Sequence, residues 1–388
     1  MSSAILVLNA GSSSIKFALY DRLTLAPLVR GGIENIDGNA RVNAIGPHAS
    51  ELLQSSAVPP SGSHAAWTQW LLGAIREHLP QLPIDVAGHR VVHGGATFTA
   101  PTRIDVAVLR QLEALTPLAP NHQPANLAAI RAVAAAWPEL PQIACFDTAF
   151  HRTQPRLAQL FALPRDLIDA GVVRYGFHGL SYEYICGVLP DVIGERANGR
   201  VVIAHLGHGA SMCALHEGRS IATTMGFTTL DGLMMGTRCG TLDPGVVLYL
   251  LQQKQMSAED VDTMLNRQSG LLGVSGISHD TRDLEASTDA HAAEALQLFA
   301  YRAARELGSL VAALGGLDAL VFSAGIGEHS AKMRDRICAY TAWLGLVLDQ
   351  DANARHATRI SAQDSAVDVL VVPTNEELVI ARAARALT

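Results

Sequence analysis

Basic blocks, paired cysteines and long apolar runs are all missing from this 388-residue chain. With a net charge of −7 and no basic stripe, nucleic acid and acidic membrane surfaces are excluded as partners. An anionic small substrate would need its own local cluster of Arg, Lys or His. No uncharged stretch is apolar and long enough to cross a bilayer. Met1-Ser-Ser has no basic residue, and the apolar run after it stops at Asn9, so no signal peptide is expected. The five cysteines are odd in number, scattered and never spaced C-x-x-C. That excludes a disulfide framework and a zinc site, and implies reduced thiols in the cytoplasm. Linkers, low-complexity tracts and heptad runs are absent as well.

Several enzyme classes fall away on missing motifs. Without G-x-x-x-x-G-K-[ST] there is no P-loop, and without Asp-Phe-Gly and His-Arg-Asp there is no protein-kinase fold. No G-x-S-x-G elbow marks a serine hydrolase. What remains is an ordinary globular composition, 49% hydrophobic and 17% charged, long enough for two domains with sizeable cores.

The opening stretch organises the chain. Ala4 to Leu8 is apolar, Asn9-Ala-Gly-Ser-Ser-Ser14 breaks it, and Ile15, Phe17 and Leu19 then alternate with Lys16, Ala18 and Tyr20. That period of two predicts a half-buried strand and, with the first run, a hairpin. Its small hydroxyl-rich turn and Lys16 suit a phosphate, although an ordinary Ser-rich hairpin has the same pattern. Residues 201–215 repeat the design around Gly207-His-Gly209, which suggests a duplication. Helices are expected over 64–79, 124–137 and 287–314, the last capped by Ser287. Short strands are expected over 86–95, ending in the Gly94-Gly95 pair, and at 142–146, 319–322 and 369–372.

Chemistry gathers at the ends of these strands. His89, Arg90 and His93 interleave in a buried run, where an Arg is costly unless it meets an anion; His89 reads as a core residue. Asp147 follows a strand, where open α/β sheets place ligand contacts, and equally fits a helix N-cap. His178 sits between glycines, and Arg238 lies in a glycine-rich loop over 225–245. Gly325-Ile-Gly327 between strand and helix can present N–H groups to a nucleotide. Lys16, Arg90, His178 and Arg238 as donors, with Asn9, Asp147 and Glu376 as oxygen ligands, make the inventory of phosphoryl transfer.

The blocks Leu8-Asn-Ala-Gly-Ser-Ser-Ser-Ile-Lys-Phe17, His89-Arg-Val-Val-His-Gly-Gly95, Phe146-Asp-Thr-Ala-Phe-His151 and Tyr175-Gly-Phe-His-Gly179 resemble the acetate kinase family. So do Gly236-Thr-Arg-Cys-Gly240, Ser275-Gly-Ile-Ser-His-Asp-Thr-Arg282, Gly325-Ile-Gly-Glu328 and Pro373-Thr-Asn-Glu-Glu-Leu378, in family order across the chain. The resemblance implies an α/β fold of two duplicated actin-like (ribonuclease H-like) lobes with the active site in the cleft between them. The expected division is 1–148, with 373–388 returning to it, and 149–372 as the nucleotide-binding, dimerising lobe. It implies transfer of a phosphoryl group from ATP to acetate with Mg²⁺, for which Mn²⁺ can substitute, usually in a homodimer.

By position, Asn9 and Glu376 would hold the metal. Arg90, Asp147, His178 and Arg238 would be catalytic, and Val92, Asn121, Phe177 and Thr229, with Arg90, would meet the acid. Ser12, Lys16, His205, Leu206, Gly207, His208, Gly209, Asp280, Thr281, Arg282, Gly325, Ile326, Gly327, Glu328 and His329 would cradle the nucleotide. Four residues depart from the family pattern: His208 for Asn, Thr241 for Asp, Asn or Ser, Asn121 for Leu and Thr229 for Pro. The last two are polar, which predicts a weaker grip on the methyl of acetate and a raised Michaelis constant. The rivals are a propionate or butyrate kinase and a non-catalytic nucleotide-binding switch on the same fold.

Overall fold

A computed structural model describes residues 3–11, 14–36, 38–53 and 62–388. The chain divides into two compact units, residues 1–150 with 375–388, and residues 151–374.

In the first unit, β1 (Ala4–Ala10) and β2 (Ser14–Asp21) form the expected antiparallel hairpin, and β3 (Pro27–Glu34) and β4 (Arg41–Ile45) extend it. On the other side β1 runs parallel to β5 (Ile84–Val91), and β5 parallel to β7 (Gln142–Phe146). The short β6 (Thr102–Arg103) closes that edge, giving the order β4-β3-β2-β1-β5-β7-β6.

The second unit contains β8 (Arg200–Leu206), β9 (Ala210–His216), β10 (Arg219–Thr223), β11 (Ala319–Ser323) and β12 (Asp368–Val371), in the order β10-β9-β8-β11-β12. Here too an antiparallel meander of three strands joins a parallel set through its first strand. The core order third-second-first-fourth-fifth is thus the same in both units. The shared order agrees with the duplication suggested by the two hairpins.

Two expectations about local structure change. β2 is not half-buried: of its six residues from Ile15 to Tyr20 only Lys16 is exposed. The helices His64–His78 and Gln123–Ala136 pack with one apolar face of the sheet, and the C-terminal helix Glu376–Ala386 covers the other. The long helix runs from Ala290 to Leu314, and its N-cap is Asp289, whose carboxylate accepts from the His291 N–H. Ser287 instead accepts from the Asp289 N–H, two residues ahead of the cap. All five cysteines are free thiols. Among the described residues no helix is long and apolar enough to cross a membrane.

Candidate active site

In the first unit, Asn9, Arg90 and Asp147 stand at the C-terminal ends of the adjacent parallel strands β1, β5 and β7. Ligand contacts gather there in open α/β sheets. Asp147 is 1% exposed, and both of its oxygens accept from Arg90, at 2.6 Å from Nη2 and 3.0–3.1 Å from Nε. The expectation of a helix cap at Asp147 is replaced by this ion pair. Burial alone would lower the Arg90 pKa, but Asp147 more than reverses it, so the guanidinium stays charged. Arg90 Nη1 also donates to Asn9 Oδ1 at 3.1 Å.

Glu376 opens the C-terminal helix, which reaches the sheet because β5 has glycine at position 88. A Cβ there would lie 2.5 Å from Ile380 Cγ2. This close packing brings the Glu376 carboxylate to 3.4 Å from Asn9 Nδ2, between residues 367 positions apart. Burial pushes the Glu376 carboxyl up to about 7; Arg90 opposes the shift, and the Asp147 charge adds to it. Lys16 is exposed and pairs with Asn9 across the hairpin. Ser12 lies outside the described residues. Val92 is buried, and its N–H donates to Asn126, whereas Asn121 is exposed in the turn before the helix Gln123–Ala136.

Among the described residues no group of three His, Cys, Asp or Glu side chains could by itself cage a metal. Mg²⁺ rarely needs one, because it keeps waters and takes one or two protein oxygens together with substrate phosphates. The desolvated Glu376 carboxylate lies beside the Asn9 side chain, which places two oxygen-bearing groups together. That donor set fits a divalent cation.

In the second unit, His178 carries a left-handed backbone, φ +59°, directly before the helix Gly179–Ile193. Such a conformation persists in a non-glycine residue only where its surroundings enforce it. The buried His151 hydrogen-bonds the Phe177 carbonyl through Nε2 at 2.9 Å. Gly176, φ +75°, leaves the room this needs, since a Cβ there would lie 2.6 Å from the His151 ring. His178 Nδ1 is 2.8 Å from Ser211 Oγ, and its ring stacks on His205 with centroids 4.2 Å apart. His205 is held in turn by Ser181.

Gly209 closes the β8–β9 turn, with Leu206 buried at its start and Gly207 donating to the Gly209 carbonyl. A Cβ at Gly209 would lie 2.7 Å from Arg238 Nη2 and 3.4 Å from His178 Nε2. Two donor side chains thus converge on the glycine of the second hairpin. Arg238 is aimed there by the Thr229 backbone carbonyl, which accepts from Nη1 at 2.7 Å. His208, at the turn's tip, packs edge to face with His279. The residue is exposed, yet one side of its ring is desolvated, and its pKa is lowered; His279 and Arg238 add to the shift.

The remaining nucleotide candidates take varied positions. Asp280 caps the helix Thr281–Ala286 and holds the exposed Arg282, while Thr281 is buried. Gly325, Ile326 and Gly327 lie within the six-residue helix Ala324–His329 rather than ahead of it. Glu328 turns inward, and its Oε1 accepts from the N–H groups of Ala324 and Thr374. His329 is exposed. His151, Ser181, Tyr182 and Ser211 went unassigned in the sequence, where a lone Ser or Tyr inside an apolar strand or helix gives no signal.

The model of the Acetokinase family matches residues 4–382. This chain belongs to the acetokinase family. Acetate kinases of Rhodopseudomonas palustris and Methylocella silvestris are 57% and 48% identical to it, each aligned over at least 98% of both chains. The crystal structure of a Francisella tularensis propionate kinase, 38% identical, matches over the full length of both chains with a TM-score of 0.92. That of Porphyromonas gingivalis acetate kinase, 34% identical, matches over the same extent at 0.87. Acetokinase membership over nearly the whole chain also accounts for the matching strand order of the two units.

Proposed function

We propose that this acetokinase catalyses reversible transfer of the γ-phosphoryl group of ATP to acetate, forming acetyl phosphate and ADP by direct in-line displacement. The observation that carries the reading is the convergence of His178 Nε2 and Arg238 Nη2 on the Gly209 turn. Two donors over a glycine-lined turn suit an anion whose charge spreads over several oxygens during transfer.

A carboxylate nucleophile is already ionised near neutral pH and needs no general base. The protein's task is to hold two anions together. Arg90, oriented by Asp147 and Asn9, binds the acid, since a planar guanidinium can fork onto a carboxylate. Arg238 and His178 neutralise the moving phosphoryl group. Asn9 and Glu376 would hold Mg²⁺, which supplies charge neutralisation on the nucleotide phosphates. Lys16 in the first unit, and the β8–β9 turn, Asp280 to Arg282 and Gly325 to His329 in the second, would be the contacts to the nucleotide.

A second reading, preference for propionate or a hydroxylated short acid, is favoured by the polar Asn121 and Thr229. A coupled ADP-formation assay across acetate, propionate and butyrate tests both. Acid-dependent ADP release with acetate supports the first, and a higher kcat/KM for propionate moves the assignment to the second. No acid-dependent ADP with any of the three overturns the function. If N121L/T229P leaves acetate KM and the acid profile unchanged, those positions do not set specificity.

We further place the enzyme in the cytoplasm, in keeping with its free thiols, and as a homodimer. The helix Pro244–Gln252, sequence PGVVLYLLQ, has no buried residue. Leu248 and Tyr249 on it are 52% and 50% exposed. An apolar helix left open in this way suits burial against a second copy.

A further inference from the structure

We infer that Ser211 and Tyr182 form a positioning pair that fixes His178 as the tautomer with its proton on Nε2, so that a neutral imidazole can donate to the transferring phosphoryl group. This inference rests on the reading of His178 as the transition-state donor.

One ordering of the buried hydroxyls selects the tautomer. Ser211 Oγ lies 2.8 Å from His178 Nδ1 and 2.5 Å from the Tyr182 hydroxyl, and both Ser211 and Tyr182 are fully buried. A serine hydroxyl has one proton to give and two lone pairs to offer. When Tyr182 donates to Ser211, Ser211 gives its own proton to Nδ1, and the ring proton must sit on Nε2. The Tyr182 hydroxyl keeps its proton, because burial, with Cys213 beside it, raises its pKa well above the usual tyrosine value. With that proton directed to Ser211, the hydroxyl pair orders as a chain that ends on Nδ1.

The neutral form matters because His205 stacks on His178, 4.2 Å between centroids and 22° between planes. Two imidazoliums face to face would repel, and a neutral His178 avoids that contact. As a neutral ring it has one N–H, and the wrong tautomer would present a bare lone pair at the Gly209 turn. The backbone is fixed independently, through His151 on the Phe177 carbonyl. Side-chain tautomer and main-chain placement are thus set by different residues. An acid that orients a catalytic imidazole in hydrolases acts by the same logic, here with two hydroxyls in its place.

The test uses the full-length enzyme. Ser211→Ala should lower kcat by about ten- to a hundredfold, with KM for ATP and acetate each within about twofold. Tyr182→Phe, nearly isosteric, should move kcat in the same direction by less. In the His178→Ala background Ser211→Ala should add nothing, since residues that act as a unit are not additive. Nitrogen-15 imidazole shifts, with His178 identified by its loss in His178→Ala, should show Nε2 protonated in the wild type and mixed tautomers in Ser211→Ala. A wild-type signal with the proton on Nδ1, wild-type kcat in Ser211→Ala, or an equal loss in both backgrounds overturns the inference. Normal turnover in His178→Ala instead removes the donor reading on which it rests, whatever the imidazole shifts show.

Discussion

Arg90 and Asp147 are bound to each other's charge. With Asp147 1% exposed and both of its oxygens engaged by one guanidinium, removing the partner leaves a desolvated carboxylate. Arg90→Ala should therefore lose about 3–5 kcal/mol in urea unfolding, the usual penalty for stranding a buried charge. It should also lose roughly a thousandfold or more in turnover, by analogy with arginines in phosphoryl transfer. Arg90→Lys separates the effects: it restores part of the stability through its charge but little of the rate, because the fork is gone. Near-normal kcat in Arg90→Ala would remove its catalytic role.

His89, one residue away, points to a different cost. It is buried, and burial lowers its pKa to about 4, with the Gln142 side chain opposing the shift only in part. The folded state thus binds its proton less readily than the unfolded chain. The stability tied to this group is whole above about pH 6.5 and is lost as pH falls toward 4, on the order of a few kcal/mol. His89→Leu should flatten that part of the stability–pH curve in chemical denaturation. An unchanged slope between pH 6.5 and 4 would show that other groups, such as the buried His151 with its similar shift, carry the acid sensitivity.

At the scale of elements, the β8–β9 turn is where backbone shape becomes chemistry. Gly209 is required by its neighbours: any side chain there meets the Arg238 guanidinium at 2.7 Å. Gly209→Ala should keep the fold, since the residue sits in a turn, and should displace Arg238. A displacement near 1 Å at such a group costs up to about a hundredfold in rate, so we expect a ten- to hundredfold fall in kcat with an unchanged unfolding midpoint. Unaltered turnover would mean that Arg238 works from another position. The hairpins were legible from sequence because an apolar run, a small-residue turn and an alternating run are local signals. The two-sided burial of β2 was not, because it depends on the helix Glu376–Ala386, more than 350 residues later, which lays Asn375 on the Tyr20 hydroxyl.

For the whole molecule, the matching strand orders of the two sheets agree with duplication of one unit. The open apolar helix Pro244–Gln252 carries the prediction about assembly. Leu248→Asp, at a position already 52% exposed, should leave the monomer folded and shift sedimentation from dimer to monomer. A variant that sediments like the wild type would show that this helix is not the interface.

Sequence by itself determined the strands, the glycine turns and the membership of an acid kinase family, because propensity, alternation and motif spacing are written along the chain. It also named Asn9, Arg90, Asp147, His178, Arg238 and Glu376 as residues to be brought to sites. Only the tertiary structure decided how they are used. Asp147 became the partner of Arg90 rather than a cap, Glu328 turned inward to backbone N–H groups, and Asn9 came to lie beside Glu376. Ser211 and Tyr182 came to lie beside His178 in the same way. Hydrogen bonds and charges act over a few ångströms in space, and which residues share that distance is set by sheet register and helix packing, not by position in the chain.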